Sequence, residues 1–138
     1  MDFKKIFISF LMTLVFASCK TNRTINHHRE GKWVYKDTVN GILYKSKGRY
    51  KKSTEIKTWK YYEDRKLVKT EKYQDTICHI KTFDNKGRIN SIGKSVISEE
   101  SDGTRWYLTG DWIFFDDSGK IIGIKNYKKG ELVSEIEM

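Results

Sequence analysis

Three tryptophans open closely similar segments: Gly31-Lys32-Trp33-Val34-Tyr35, Lys57-Thr58-Trp59-Lys60-Tyr61-Tyr62 and Gly110-Asp111-Trp112-Ile113-Phe114-Phe115. Trp33 to Trp59 is 26 positions, and Trp59 to Trp112 is 53, close to twice that, so a further copy is expected near residue 85. Phe83-Asp84-Asn85-Lys86-Gly87-Arg88-Ile89 lies there. It matches Phe115-Asp116-Asp117-Ser118-Gly119-Lys120-Ile121 position by position, with Ile80 in the place of the tryptophan. A chain with internal self-similarity is built from stacked copies of one small unit, because a single unit cannot bury its own apolar face.

The unit is two strands and two turns. Trp112 and Phe114 alternate with Ile113 and Phe115, and Trp59 and Tyr61 with Lys60 and Tyr62. This period-two pattern of aromatic and β-branched residues suits a pleated strand. Leu67 to Tyr73 and Ile121 to Tyr127 are each six positions, and Tyr50 to Trp59 is nine, joining one unit to the next. Gly87 and Gly119 sit in Asp-x-x-Gly turns, where φ > 0 is wanted. The chain has no proline, in keeping with strands whose N–H groups are nearly all needed for pairing.

The pattern Gly-x-Trp-x-aromatic-aromatic, a turn with Gly and Lys, then a tyrosine and Lys129-Gly130-Glu131-Leu132, resembles MORN-repeat variants, including the YwqK-like antitoxin branch. It spans roughly Gly31 to Val133 and is sharpest from Gly110 onward. Ser53 and Lys57 stand where a linking unit usually carries glycine, and Ile92 to Thr109 matches little. The resemblance implies an all-β fold of MORN-like β-hairpin repeats in one open antiparallel sheet. The repeat-structural positions are Gly31, Trp33, Tyr50, Trp59, Tyr73, Gly87, Gly110, Trp112, Gly119, Tyr127 and Gly130. It implies binding in place of catalysis, with an immunity or antitoxin-type role as one alternative. Gly31-Lys32-Trp33 also resembles the first strand of small lipocalin-like lipoproteins, which would mean a closed β-barrel carrying a small apolar ligand. Recurrence of Gly-x-Trp late in the chain favours the open sheet.

The first residues address the compartment. Lys4 and Lys5 precede an apolar run, Ile6 to Phe16, and the small pair Ala17-Ser18 leads to Cys19. The run is too short to span a membrane as a helix and reads as a secretory leader. Phe16-Ala17-Ser18-Cys19 resembles the lipobox of bacterial lipoproteins, which implies cleavage before Cys19 and lipidation of its thiol. The expected organisation is a lipoprotein signal peptide over 1–18, a polar tether over 19–30 and the repeat domain over 31–138. Lys-Thr-Asn-Arg-Thr after the cysteine points to the outer membrane, facing the periplasm.

Charge is read in that setting. The chain has 27 Lys+Arg against 18 Asp+Glu, a net charge of +9. Such a balance invites nucleic acid as a partner, but an exported, tethered protein does not meet it. The expected partners are the membrane, through the N-terminal lipid, and a protein or anionic envelope component. Lipidation of Cys19 leaves Cys78 alone, expected buried. His79 beside it points to the opposite face of a strand, so the two do not form a thiol–imidazole pair. Asp84, Asp116 and Asp117 fall in turns, where Asp caps its own backbone. His27 and His28 lie in the polar segment, without the fixed geometry of a ligand pair. No catalytic constellation, metal or cofactor is expected. Tyr62 and Phe115, on the face opposite the tryptophans, are the candidate contact residues.

Overall fold

The computed structural model describes residues 20–138; the leader and Cys19 lie outside the described residues. The described chain is all-β. Its strands are β1 (Arg23–Ile25), β2 (His28–Val39), β3 (Ile42–Lys51), β4 (Thr54–Glu63), β5 (Lys66–Gln74), β6 (Ile77–Phe83), β7 (Ile89–Glu100), β8 (Gly103–Phe115), β9 (Ile121–Lys128) and β10 (Glu131–Glu137). Each pairs antiparallel with the next, giving one ten-stranded sheet in sequence order. β1 and β10 are its two free edges, so the sheet is open and the barrel alternative is not realised.

Short turns set this meander. Asn40-Gly41, Lys52-Ser53, Asp64-Arg65 and Lys129-Gly130 all have positive φ at both residues, the geometry whose twist matches that of paired strands. The two Asp-x-x-Gly turns are copies of one another. Asp84 N–H donates to Arg88 O at 2.9 Å and Gly87 N–H to Asp84 O at 3.0 Å; Asp116 N–H donates to Lys120 O at 2.9 Å and Gly119 N–H to Asp116 O at 3.0 Å. The Asp84 carboxylate caps the N–H groups of Lys86 and Arg88, and Asp116 does the same for Ser118 and Lys120.

One expectation is corrected. The polar segment 19–30 is not a tether beyond Asn22, because Arg23–Ile25 pairs with His28–Glu30 around an Asn26-His27 turn. Asn and His accept the positive φ of 48° and 63° that this turn needs. Asn22 is itself held, its amide side chain bonding both the N–H and the carbonyl of Val34.

The repeat is visible in the register. Gly31 pairs with Tyr50, Lys57 with Tyr73 and Gly110 with Tyr127. Thus the residue two before each tryptophan faces the tyrosine that ends its unit. All three of these residues have positive φ: 73° at Gly31, 61° at Lys57 and 64° at Gly110. In β4 and β8 this residue opens a bulge. Lys47 pairs with Lys60 and Arg49 with Ile56, leaving Lys57, Thr58 and Trp59 opposite Gly48 alone. Ile92 pairs with Ile113 and Lys94 with Thr109, leaving Gly110, Asp111 and Trp112 opposite Gly93. The segment Ile92 to Thr109 fails to match the repeat because its hairpin is longer. Gly48 to Trp59 is 11 positions, whereas Gly93 to Trp112 is 19.

Lys57 therefore holds a glycine conformation at the cost of strain. Its side chain is exposed. Lys57→Gly is expected to raise stability by about 0.5–1 kcal/mol, after allowing for the extra freedom of glycine in the unfolded chain. Urea denaturation checks this, with Lys57→Ala giving no rise.

Candidate binding faces

Residues directly opposed in the register share a face, and neighbours along a strand take opposite faces. Trp33, Tyr35, Tyr44, Tyr50, Trp59, Tyr61, Tyr73, Trp112, Phe114 and Tyr127 all fall on one face by this rule. Lys36, Lys45, Lys47, Arg49, Lys60, Lys72, Lys81 and Lys94 fall on the other.

On the aromatic face the tryptophans lie down over glycine. A β-carbon on Gly48 would stand 2.1 Å from Trp59 Cδ2, and one on Gly93 would stand 2.1 Å from Trp112 Cδ2. Each indole N–H donates to the carbonyl of the residue after that glycine: Trp59 to Arg49 at 3.1 Å and Trp112 to Lys94 at 3.2 Å. These rings are 2 % and 9 % exposed, deep burial for a sheet with no second layer. Trp33 sits opposite Gly48 and donates to Glu30 O instead. Ile80 sits opposite Gly93, the corresponding place.

The rings extend the cover from strand to strand. Tyr50 meets Trp33 edge-on at 5.6 Å and Trp59 at 4.9 Å, and Tyr35 stacks on Trp59 at 6.2 Å. Tyr127 meets Trp112 at 6.5 Å. Trp106, which belongs to no repeat, stands on the lengthened hairpin and packs edge-on against Tyr73 at 5.5 Å. Tyr35, Tyr44 and Trp106 remain more than a third exposed. Tyr35, Tyr44 and Tyr61, with Asp37, Glu63 and Lys69, line an open trough of about 620 Å³.

Between the two tryptophans lies Glu71, opposite both Trp59 and Ile80. Its carboxylate accepts from Tyr61 Oη at 2.5 Å and Tyr73 Oη at 2.8 Å, and pairs with Lys69 Nζ at 2.8 Å. Burial acts to raise the Glu71 carboxyl, but the hydrogen bonds from Lys69, Tyr61 and Tyr73 outweigh it and hold the group below its ordinary 4.5. Burial and the carboxylate together push both tyrosines well above their usual range.

Cys78 is 2 % exposed and packs with Ile80 and Trp112. Burial first, and then the charge of Glu71, push its thiol up to about 11, so it stays protonated near neutrality. His79 is exposed on the opposite face, as the alternation predicts. Among the described residues no group of three His, Cys, Asp or Glu is placed to hold a metal ion. Asp117 pairs with Arg88, at 3.0 Å, and so ties two hairpin tips together.

The second face is different in kind. Lys47 opposes Lys60, Lys60 opposes Thr70, and Thr70 opposes Lys81. A parallel row runs through Lys72, His79 and Lys94. Beyond β6 the first row becomes aliphatic, with Ile92, Ile113, Ile124 and Ile136 in direct opposition. Tyr62 and Phe115 both lie on this face and are half-buried, with Lys47 Nζ 5.3 Å from the Tyr62 ring centre. The strand carboxylates of β2–β6 go mostly to the aromatic side, where Asp37 and Glu63 oppose Tyr44 and Glu55 opposes Tyr50. Glu30 is the exception, and its carboxylate accepts from Lys52 N–H at the β3–β4 turn.

Comparison of the chain with protein-family models, with curated proteins and with solved structures gives no match.

Gly48 and Gly93 are the structural residues that sequence reasoning missed. Their only signal is a glycine on the strand before each tryptophan, at two different spacings.

A depressed carboxyl stabilises the fold above its unfolded value, and that contribution disappears as pH falls through its folded value. For Glu71 the loss is expected on acidification below about 4.5. Glu71→Gln is expected to cost about 1–3 kcal/mol at neutral pH, with the gap to wild type closing in acid. Urea midpoints across the pH range check this.

Proposed function

We propose that this chain is a membrane-anchored lipoprotein whose MORN-like repeat sheet acts as a non-enzymatic binding or scaffold surface in the cell envelope. The anchor is Cys19, lipidated after removal of residues 1–18, and the site is the outer membrane on its periplasmic side. The observation that carries the reading is the open sheet with two chemically distinct faces. One offers partly exposed rings flanked by carboxylates, the other a plane of lysines. Aromatic rings that are rigid and already packed lose little freedom on contact, which suits them to docking a partner protein.

The regular pairing of Gly31, Lys57 and Gly110 with Tyr50, Tyr73 and Tyr127 supports the MORN-like reading. The leader pattern and Cys19 support the anchor. An open sheet has no barrel interior, which removes the support for a lipocalin-like carrier.

Cells fed radiolabelled palmitate should label the wild type and not Cys19→Ala. Equal labelling of the two would overturn the anchor. On the same cells, a photo-crosslinker at Tyr44 should trap a discrete envelope protein that one placed at the exposed end of β10, at Val133, does not. Identical products from both positions would count against an aromatic docking face.

A further inference from the structure

The charge of this sheet is separated across its thickness. Lys36, Lys47, Lys60, Lys72, Lys81 and Lys94 are all exposed on one face. Among the described residues none of the six takes part in an ion pair, while Lys69, Arg88, Arg105 and Lys125, elsewhere on the fold, all do. Lysines set directly opposite one another, as Lys47 and Lys60 are, repel each other in the isolated sheet. Such an arrangement costs stability in the free protein and is relieved by a facing anionic surface. Neighbouring strands stand ~4.8 Å apart, so the rows from β3 to β7 form a positive plane roughly 20 Å across. The aliphatic ladder Ile92, Ile113, Ile124 and Ile136 continues the same face toward the other edge.

The start of the described chain identifies the surface that faces this plane. Thr21 lines a shallow groove of about 390 Å³ together with Lys47, Arg49, Thr58 and Lys60. The chain therefore arrives at the domain beside the lysine face. Cys19 is only two residues before Thr21, at most ~7 Å of extended chain. Asn22, bonded to the backbone of Val34, fixes the point of arrival. A lipid on Cys19 thus brings headgroups within about one Debye length, ~8–10 Å, of the lysines.

We infer that the lysine face is turned to the anionic phospholipid headgroups of the membrane that anchors the chain, so that the aromatic face is turned away from the membrane toward its partner. This rests on the anchoring reading above. Paired opposite charges inside a Debye length are attracted strongly at low ionic strength and weakly at high salt, so the contact is salt-dependent while the lipid anchor is not.

The test is lysine footprinting of the full lipidated protein, reconstituted in vesicles of phosphatidylcholine alone or of phosphatidylcholine mixed with phosphatidylglycerol. Acetylation at each lysine is read by mass spectrometry. Lys47, Lys60, Lys72 and Lys81 should react about fivefold more slowly in the anionic vesicles, and high salt should abolish the difference. The turn lysines Lys86, Lys120 and Lys129 should react alike in both. Equal rates at the face lysines, or protection that follows the turn lysines instead, would overturn the orientation. So would protection produced in phosphatidylcholine vesicles by an added acidic polysaccharide or acidic protein but not by phosphatidylglycerol. The triple variant Lys47→Gln, Lys60→Gln, Lys81→Gln, with unchanged tryptophan emission as its folding control, should lose the lipid-dependent protection at Lys72. Retention there would contradict the assignment. If the wild type takes up no palmitate, the anchor fails, and the same footprint is read on unlipidated chain added to preformed vesicles. Protection in phosphatidylglycerol then keeps the lysine face as a lipid surface, and its absence removes it.

Discussion

A tryptophan laid over a glycine on the neighbouring strand is the contact on which this sheet depends. An open single layer has no second layer to cover it, so its side chains must supply their own roof. Trp59 and Trp112 do this by lying along the sheet, which requires a strand opposite with no β-carbon. Gly48 and Gly93 meet that requirement, since a methyl at either would sit 2.1 Å from the indole. The bulge is the second half of the device. By setting three residues against one, it brings the ring back across the glycine and places the indole N–H on a backbone carbonyl. The positive φ at Lys57 and Gly110 is what turns the chain there. Ring, glycine, bulge and hydrogen bond act as one unit, used twice.

The rest of the aromatic face follows from these seats. Tyr50 stands against Trp59 and Tyr127 against Trp112, and Glu71 occupies the ground between the two seats with both of its neighbouring tyrosines bonded to it. A buried carboxylate is tolerated because Lys69 and two hydroxyls satisfy it. With rings and carboxylates gathered on one side, the strands are left to send their lysines to the other. The polarity of the sheet is thus a by-product of alternation combined with a one-sided roof. It gives the molecule two unlike surfaces on a body one layer thick.

Much of this was legible in the sequence. The period of the tryptophans, the Asp-x-x-Gly turns and the alternation through Trp59–Tyr62 and Trp112–Phe115 are local signals, and they lead directly to an open all-β repeat. The opposition of Tyr62 and Phe115 to the tryptophans was legible for the same reason. What was not legible is non-local. The pairing of Gly48 with Trp59 and of Gly93 with Trp112 spans hairpins of different length, so no fixed spacing reveals it. Lys57 hides a glycine conformation behind an ordinary side chain. The β1 hairpin was missed because its residues are polar apart from the single exposed Ile25; it is held by backbone pairing and by Asn22, which leave no hydrophobic period. Trp106 escapes the repeat because it stands on the part of the β7–β8 hairpin that the other unit lacks.

The aromatic face is built around the two indole seats, and nuclear magnetic resonance reads them directly. Protons above the face of an indole are shielded by its ring current. The Hα protons of Gly48 and Gly93 should therefore resonate far upfield of the other glycines, with cross-relaxation to the ring protons of Trp59 and Trp112 respectively. Ordinary glycine shifts at both positions, with no contact to either indole, would contradict the roof and with it the two-faced sheet.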